Sequence, residues 1–421
     1  MSSEPAPPSG AMPVYMPEPT APQCRGAKMK RHLNPTALML ATLAALLSPV
    51  AASCDSQPGY TLPPPAIGRV GRAQIFDYRL KDKSVLIGRR DFIWNASGPP
   101  IPVWSTNYIA ADRDLDRTHT LAWFEANHPD WIVYGCDGVP TDEYGDVYIS
   151  VDITRPEVRE ALFEQGVVAK TAKRPVQSIG VDNLDNTNSF RECGVRQGGA
   201  LKKNYSGRRV DPSFAQHQAD WMAWLAPRVH ARGLALTGNL SYNGGDRASY
   251  WKIAHNLDVI LDETGFERKC RPIMLDGQWL DRITLFRDVA RAKPLVVIEQ
   301  VCPTLPEITP ATIAWSLANY LLIKEDRTYL ALTPEIQPYG ALDDFPELYL
   351  NIGAAAGPLS ERGGVYYRRF ERALALVNPS SRSQATFEVE GGGWKDEATG
   401  ISQAGSITLP PATAMVLVKG P

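Results

Sequence analysis

From Lys83 to about Pro334, short apolar runs alternate with amphipathic stretches. The runs are four to eight residues long and often β-branched, which is the pattern of strands buried on both faces of a parallel sheet. Eight candidate strands follow. They are Val85–Ile87 continuing toward Phe92–Trp94, then Pro102–Ser105, Trp131–Tyr134, Gln177–Val181, Leu234–Thr237, Asp258–Leu261, Leu295–Ile298 and Thr328–Leu332. Helical periodicity fills most of the gaps, at Thr118–Asn127, Pro156–Ala172, Pro212–Ala231, Arg247–Asn256, Leu280–Ala292, Pro310–Glu325 and Phe345–Ala355. The second of these is entered by Thr154 and Glu157 in capping-box spacing. Eight strands alternating with helices over about 270 residues predict an α/β fold, a (β/α)8 TIM barrel. An open doubly wound sheet is the rival, weakened because no GxGxxG follows the first strand.

The tail changes period. Ala373–Val377, Ala385–Val389, Ser406–Leu409 and Ala414–Lys419 read as strands, punctuated by Gly391–Gly393 and Pro410–Pro411. A small C-terminal antiparallel β-domain is expected there.

The front of the chain predicts export. Residues 1–28 are rich in Pro and Ala and lack periodicity, and read as a disordered extension or a start placed too early. From Met29, a basic Lys30–Arg31 pair precedes an apolar run, Thr36–Val50, too short to span a bilayer comfortably. Small residues then lead to Cys54. This is a bacterial secretion signal in form. The small residues before Cys54 resemble a lipobox, so lipidation of Cys54 is expected, with cleavage by the ordinary signal peptidase as the alternative. The domain boundaries expected are 1–28 for the extension, 29–53 for the signal peptide, 54–82 for a Pro-rich tether, 83–360 for the barrel and 361–421 for a β-sandwich-like domain. The protein is expected to be periplasmic, membrane-anchored or extracellular.

Composition narrows the partners. The 421 residues carry a net charge of −2, with 44% apolar and 21% charged residues. That is ordinary globular usage and offers no global attraction to polyphosphate, so no nucleic-acid partner is expected. Four cysteines remain beyond Cys24 and Cys54, and an even number in an oxidising compartment suggests disulfides. The sequence has no CxxC or HExxH motif, and no metal or cofactor is expected. A GxSxG motif is also absent, which argues against an α/β-hydrolase.

In such a barrel the chemistry sits at the C-terminal ends of the strands. Strand four ends in Val181–Asn186, and alternation puts Ser178, Gly180 and Asp182 on one face, so that Asp182 points to the mouth. Strand five ends in Asn239, strand six in Asp262 and Glu263, strand seven in Glu299 and Gln300, and strand one in Trp94 and Asn95. Carboxylates converging on one groove suit glycoside cleavage, where one protonates the leaving oxygen and the other attacks carbon one or activates water. Asp182 and Glu263 are the leading pair. Asp262 and Glu299 are the alternatives, because alternation alone leaves open which strand-six carboxylate faces inward. Trp94, Asn95, Tyr108, Asn183, Asp185, Asn239 and Tyr242 are the candidate substrate-binding residues.

Trp131–Tyr134, Val151–Arg159, Ile179–Asn183 and the tail segment Tyr367–Pro379 together resemble the hypothetical glycosyl hydrolase-like family fifteen of bacterial barrel proteins. That group is similar in layout to endo-α-1,4-polygalactosaminidases and, more distantly, to clan D α-glycosidases. The resemblance spans roughly residues 83–418. It implies a barrel closed by a strand-rich domain, a nucleophile ending strand four and an acid/base ending strand six. These roles fall on Asp182 and Glu263. The commoner strand-four and strand-seven layout would implicate Glu299 instead, but its Asn–Glu signature on strand four is missing. Within the same frame Cys136, Cys193, Cys270 and Cys302 all fall on the catalytic face, and the pairs Cys136–Cys193 and Cys270–Cys302 are expected to brace its loops. The function implied is an exported glycoside hydrolase acting on a polysaccharide or oligosaccharide. The alternative is a non-catalytic carbohydrate-binding envelope lipoprotein.

Overall fold

The computed structural model describes residues 62–420, apart from 79, 97–102, 111–118, 144–147, 243, 245 and 343; for 107–110, 142, 143 and 148 it describes the backbone alone. The signal segment and Cys54 lie outside the described residues. Eight parallel strands form the main sheet: β1 (Ala73–Phe76), β2 (Phe92–Asn95), β3 (Trp104–Ala110), β4 (Ser178–Asp185), β5 (Ala235–Ser241), β6 (Val259–Asp262), β7 (Leu295–Gln300) and β8 (Thr328–Thr333). Each pairs in parallel with the next along the chain. Arg72, just ahead of β1, forms a parallel bridge with Leu330 of β8. The sheet is thus barrel-like.

Period-two alternation sorts the side chains onto two faces. Ala73, Ile75, Phe92, Trp94, Val259, Leu261, Val296, Ile298, Tyr329 and Ala331 pack together on the inner face. Their neighbours Ile260, Leu295, Val297, Leu330 and Leu332 belong to the outer core. The helices cover that outer face: α1 (Leu121–Asn127), α2 (Pro156–Phe163), α3 (Pro212–His230), α4 (Arg247–Ala254), α5 (Asp276–Ala292) and α6 (Pro310–Ile323). Apolar residues of α5 and α6, among them Phe286, Ile313, Leu317 and Leu321, pack into the outer core.

Three expectations are corrected. Val85–Ile87 is not strand: Lys83–Leu86 is one 3-10 turn, capped by the Asp82 carboxylate on the Ser84 amide. It replaces a helix between β1 and β2, so the strand–helix alternation is incomplete there. The sheet also starts ten residues before the boundary at 83, because Ala73–Phe76 pairs with β2. Third, the run at Trp131–Tyr134 does not enter the parallel sheet. Its strand, Val133–Gly135, pairs antiparallel with Glu192–Gln197, which pairs in turn with Ala200–Lys203.

The tail is one antiparallel sheet of β9 (Ser360–Arg362), β10 (Val365–Arg369), β11 (Ala373–Asn378), β12 (Ala385–Asp396), β13 (Ser402–Leu409) and β14 (Thr413–Lys419), in the order β9-β10-β11-β14-β12-β13. One face gathers Leu374, Leu376, Phe387, Val389, Trp394 and Leu417 into a core of its own. The other face, including Ala373, Ala375, Val377 and Val416, joins the outer core with the apolar side of α6.

Candidate active site

The C-terminal end of the main sheet opens into a cleft of about 310 Å³, lined by Asn183, Asp185, Asn239, Glu263, Arg268 and Gln300 among others. Register explains which strand-end groups reach it. Thr237 lies opposite both Gly180 and Val259, and Asn239 opposite Leu261. Gly180, Thr237 and Asn239 therefore share the inner face. A Cβ on Gly180 would lie 2.5 Å from the Trp94 ring, which fills the interior under this point. Trp94 is 2% exposed, so the expectation that it stacks on a sugar is corrected: it forms the floor beneath the cleft.

On β6 the same alternation separates two adjacent acids. Asp262 pairs in register with the outward Val297. Its carboxylate is fully buried against α5 and accepts from Arg282 Nη2 at 2.7 Å and from the amides of Thr264 and Gly265. Asp262 thus closes the turn after β6 and is not a cleft acid. Glu263, the next residue, turns inward.

Asn239 joins the two leading candidates. Its Nδ2 donates to Asp182 Oδ1 at 2.7 Å and to Glu263 Oε2 at 2.7 Å. The two oxygens therefore lie no more than about 5.4 Å apart, the two bonds end to end, and about 4.7 Å for an ordinary amide hydrogen geometry. Asn239 is itself buried. Burial pushes the Glu263 carboxyl up to about 8, and the nearby Asp182 charge adds to the rise. The Asn239 hydrogen bond and the Arg268 charge oppose it. The pair is thus a half-buried acid of raised affinity for its proton beside a second carboxyl.

Glu299 takes a different role from the one its strand-end position suggested. It shares the outward face of β7 with Val297, and its Oε2 accepts from the backbone amides of Phe266 and Glu267 at 2.7 and 3.0 Å. Glu299 is fully buried, and burial pushes its carboxyl up to about 8. It supports the turn that follows Glu263 and does not face the cleft. Gly265 is required there, since its φ is +59° and a Cβ would meet the Glu299 carboxyl at 2.3 Å.

The other candidates divide. Asn183 lines the cleft, exposed, with φ +54°. Asp185 also lines it, but its carboxylate accepts from the Thr187 amide, the Thr187 hydroxyl and the Ser189 hydroxyl, which folds the β4 loop. Asn95 ends β2, half-buried. Tyr242 is buried, and its hydroxyl donates to Asp281 of α5 at 2.8 Å, so it is a packing residue and not a sugar contact. Tyr108 lies opposite Gly180 in register; its side chain is outside the described residues.

Sequence reasoning missed Arg268, and it placed Gln300 at the end of strand seven without assigning it a role. Arg268 lies in the short hairpin Glu267–Arg268 with Arg271–Pro272, which extends from the end of β7, and its guanidinium is held by Glu335 at 2.7 Å. A basic residue five positions after the strand-six acid was the only available signal. Cys270 is disulfide-bonded to Cys302, which fastens this hairpin to the segment after β7. Cys136 is bonded to Cys193, which fastens the small antiparallel sheet beside the β4 loop. Among the described residues no group of His, Cys, Asp or Glu side chains is arranged to hold a metal ion.

No family model matches the chain, and no curated protein does. Solved structures that it is similar to are glycoside hydrolases. The glycoside hydrolase domain of PelA from Pseudomonas aeruginosa is 12% identical with a TM-score of 0.41, covering 63% of this chain and 96% of that one. Amy13B of Eubacterium rectale is 11% identical with a TM-score of 0.43, covering 85% and 97%. The Nostoc punctiforme debranching enzyme is 10% identical with a TM-score of 0.42, covering 85% and 100%.

Proposed function

We propose that the chain is a retaining glycoside hydrolase built on a (β/α)8-type barrel, with Asp182 as nucleophile and Glu263 as general acid and base. The observation that carries this reading is the Asn239 amide bonded to both carboxyls, which keeps them within about 5.4 Å. Retaining enzymes hold their carboxyls about 5–5.5 Å apart, whereas inverting enzymes leave about 6.5–9.5 Å for a water.

Asp182 attacks carbon one and forms a glycosyl ester as the bond to the leaving oxygen breaks. Glu263 gives that oxygen its proton. In the second half Glu263 takes a proton from water, and the resulting attack on carbon one releases Asp182. A carboxyl raised to about 8 carries the proton needed for the first step at neutral pH. Asn183, Arg268 and Gln300 are placed to orient the sugar. A polysaccharide or oligosaccharide outside the cytoplasm is the proposed substrate, with the chain exported and Cys54 lipidated.

The test is reducing-end release from a panel of polysaccharides by wild type, Asp182→Asn and Glu263→Gln. Each variant is expected to lose on the order of 10²–10⁴-fold in rate while melting like wild type. A 2-fluoro glycosyl fluoride should label Asp182, read by peptide mass. Full activity in Asp182→Asn would remove the proposal.

A further inference from the structure

Glu263 and Arg268 both line the cleft, while Gly265, Phe266 and Glu267 between them are buried. Two carboxyls take the backbone amides of this segment in succession. Asp262 Oδ1 accepts from Thr264 and Gly265 at 3.0 and 2.8 Å. Glu299 Oε2 accepts from Phe266 and Glu267 at 2.7 and 3.0 Å. An amide buried without an acceptor is costly, so these bonds fix the path of the backbone that leaves Glu263. From α6, Trp315 Nε1 donates to the Phe266 carbonyl at 3.1 Å and the Ser316 hydroxyl to Glu267 Oε2 at 3.0 Å, which holds the same stretch from a second element.

The fold asks one acceptor oxygen of Glu299. Oε2 takes both amides, and Oε1 is buried with no hydrogen-bond partner among the described residues. Burial pushes the carboxyl up to about 8, so it is neutral at pH 7. An uncharged acceptor therefore meets the need. A carboxylate that acted on the sugar would need its charge and a place in the cleft. We propose that Glu299 is a positioning residue of the hydrolysis, acting through the Phe266 and Glu267 amides to hold Glu263 at its bonding distance from Asn239. This role rests on Glu263 being the acid and base proposed above. Arg268 depends on Glu299 less, since Glu335 accepts from its Nε and Nη2 at 2.9 and 2.7 Å and the Cys270–Cys302 disulfide ties its hairpin.

Glu299→Gln keeps the acceptor and Glu299→Leu removes it. Both are compared with wild type by kinetics across pH, on the polysaccharide of the panel that wild type cleaves fastest, with melts recorded. The glutamine variant is expected to keep kcat within about threefold of wild type, and the leucine variant to lose about 10²-fold in kcat with KM changed by less than about threefold. The alkaline limb of the leucine variant should move below about 8, because a loosened Glu263 regains water. Hydrogen exchange supplies a readout without substrate: the amides of Thr264 to Glu267 should exchange faster in Glu299→Leu than in Glu299→Gln or wild type. A glutamine variant as slow as Asp182→Asn would make Glu299 a catalytic carboxylate and overturn the role, as would wild-type kcat and exchange in Glu299→Leu. If Glu299→Leu does not fold, the glutamine variant decides alone. A wild type that cleaves nothing in the panel would remove the proposed function and this role with it.

Discussion

The carboxyls of Asp182 and Glu263 share one nitrogen, the Nδ2 of Asn239, at 2.7 Å each. A neutral amide is suited to this place: it donates to both acids without fixing the charge of either. Asn239→Ala removes the clamp. The variant is expected to lose about 10²-fold in kcat, the scale of a misplaced catalytic group. Its alkaline limb should move up, because the Asn239 bond is one of the influences that lower the Glu263 pKa. A kcat equal to wild type would show that the carboxyls hold their spacing without the bridge.

The pH dependence of activity and of stability share a sign. Glu263, Glu267 and Glu299 all bind their protons more tightly in the fold, at about 8, 9 and 8, against an ordinary value near 4.5. Burial is the main cause in each. The folded chain therefore holds more protons than the unfolded one between about 4.5 and 8–9. The stabilisation from these groups is complete below that window and is lost as pH rises through it. Melting temperature is expected to fall from pH 5 to pH 9, and less steeply in Glu267→Gln. Hydrolysis should fail above about 8 as Glu263 loses its proton. A melting temperature that rose over this range would contradict the protonation assigned to all three acids.

Gly180 is a packing requirement read through the site. Its missing Cβ leaves room for the Trp94 ring, which a methyl would meet at 2.5–2.6 Å. Gly180→Ala is expected to cost about 1–3 kcal/mol by overpacking and to lower activity, because Asp182 lies two residues on along β4. Gly277→Ala, in α5 with nothing within 4 Å of its Cβ position, is the control and should change stability by less than about 1 kcal/mol. Similar melts for the two variants would place the Trp94 ring elsewhere.

Much of this site was legible in the chain. Alternation through Ser178, Gly180 and Asp182 gave the inward face of β4, and strand ends gave Asn239 and the β6 acids. The choice between Asp262 and Glu263 was not legible, because it depends on register against β7 and on Arg282 reaching across from α5. Glu299 looked like a catalytic acid for the same reason: the amides that occupy it belong to Phe266 and Glu267, 33 and 32 residues away. The apolar run at Trp131–Tyr134 reads alike whether its partner is parallel or antiparallel, and that partner begins only at Glu192. β1 was hidden by length, since four residues after a Pro-rich stretch carry little periodicity.

Leu62 gives the last prediction, because it turns on that same Pro-rich stretch. Read as a tether, the residues before Lys83 would be removable without loss. In the fold, Leu62 is fully buried with Ala73, Ile75, Tyr329 and Ala331 on the inner face of the sheet. The Tyr329 hydroxyl donates to the Pro63 carbonyl just beyond it. Leu62 thus packs into the interior of the sheet beside the first residues of β1 and β8. Leu62→Ala is expected to cost about 2–5 kcal/mol, the range for a core leucine that leaves a cavity. The loss should appear as a lower denaturant midpoint with an unchanged slope, and Ile67→Ala, at a residue 92% exposed, should leave the midpoint in place. If both variants unfold like wild type, the segment is a tether after all and the interior is closed by the strands alone.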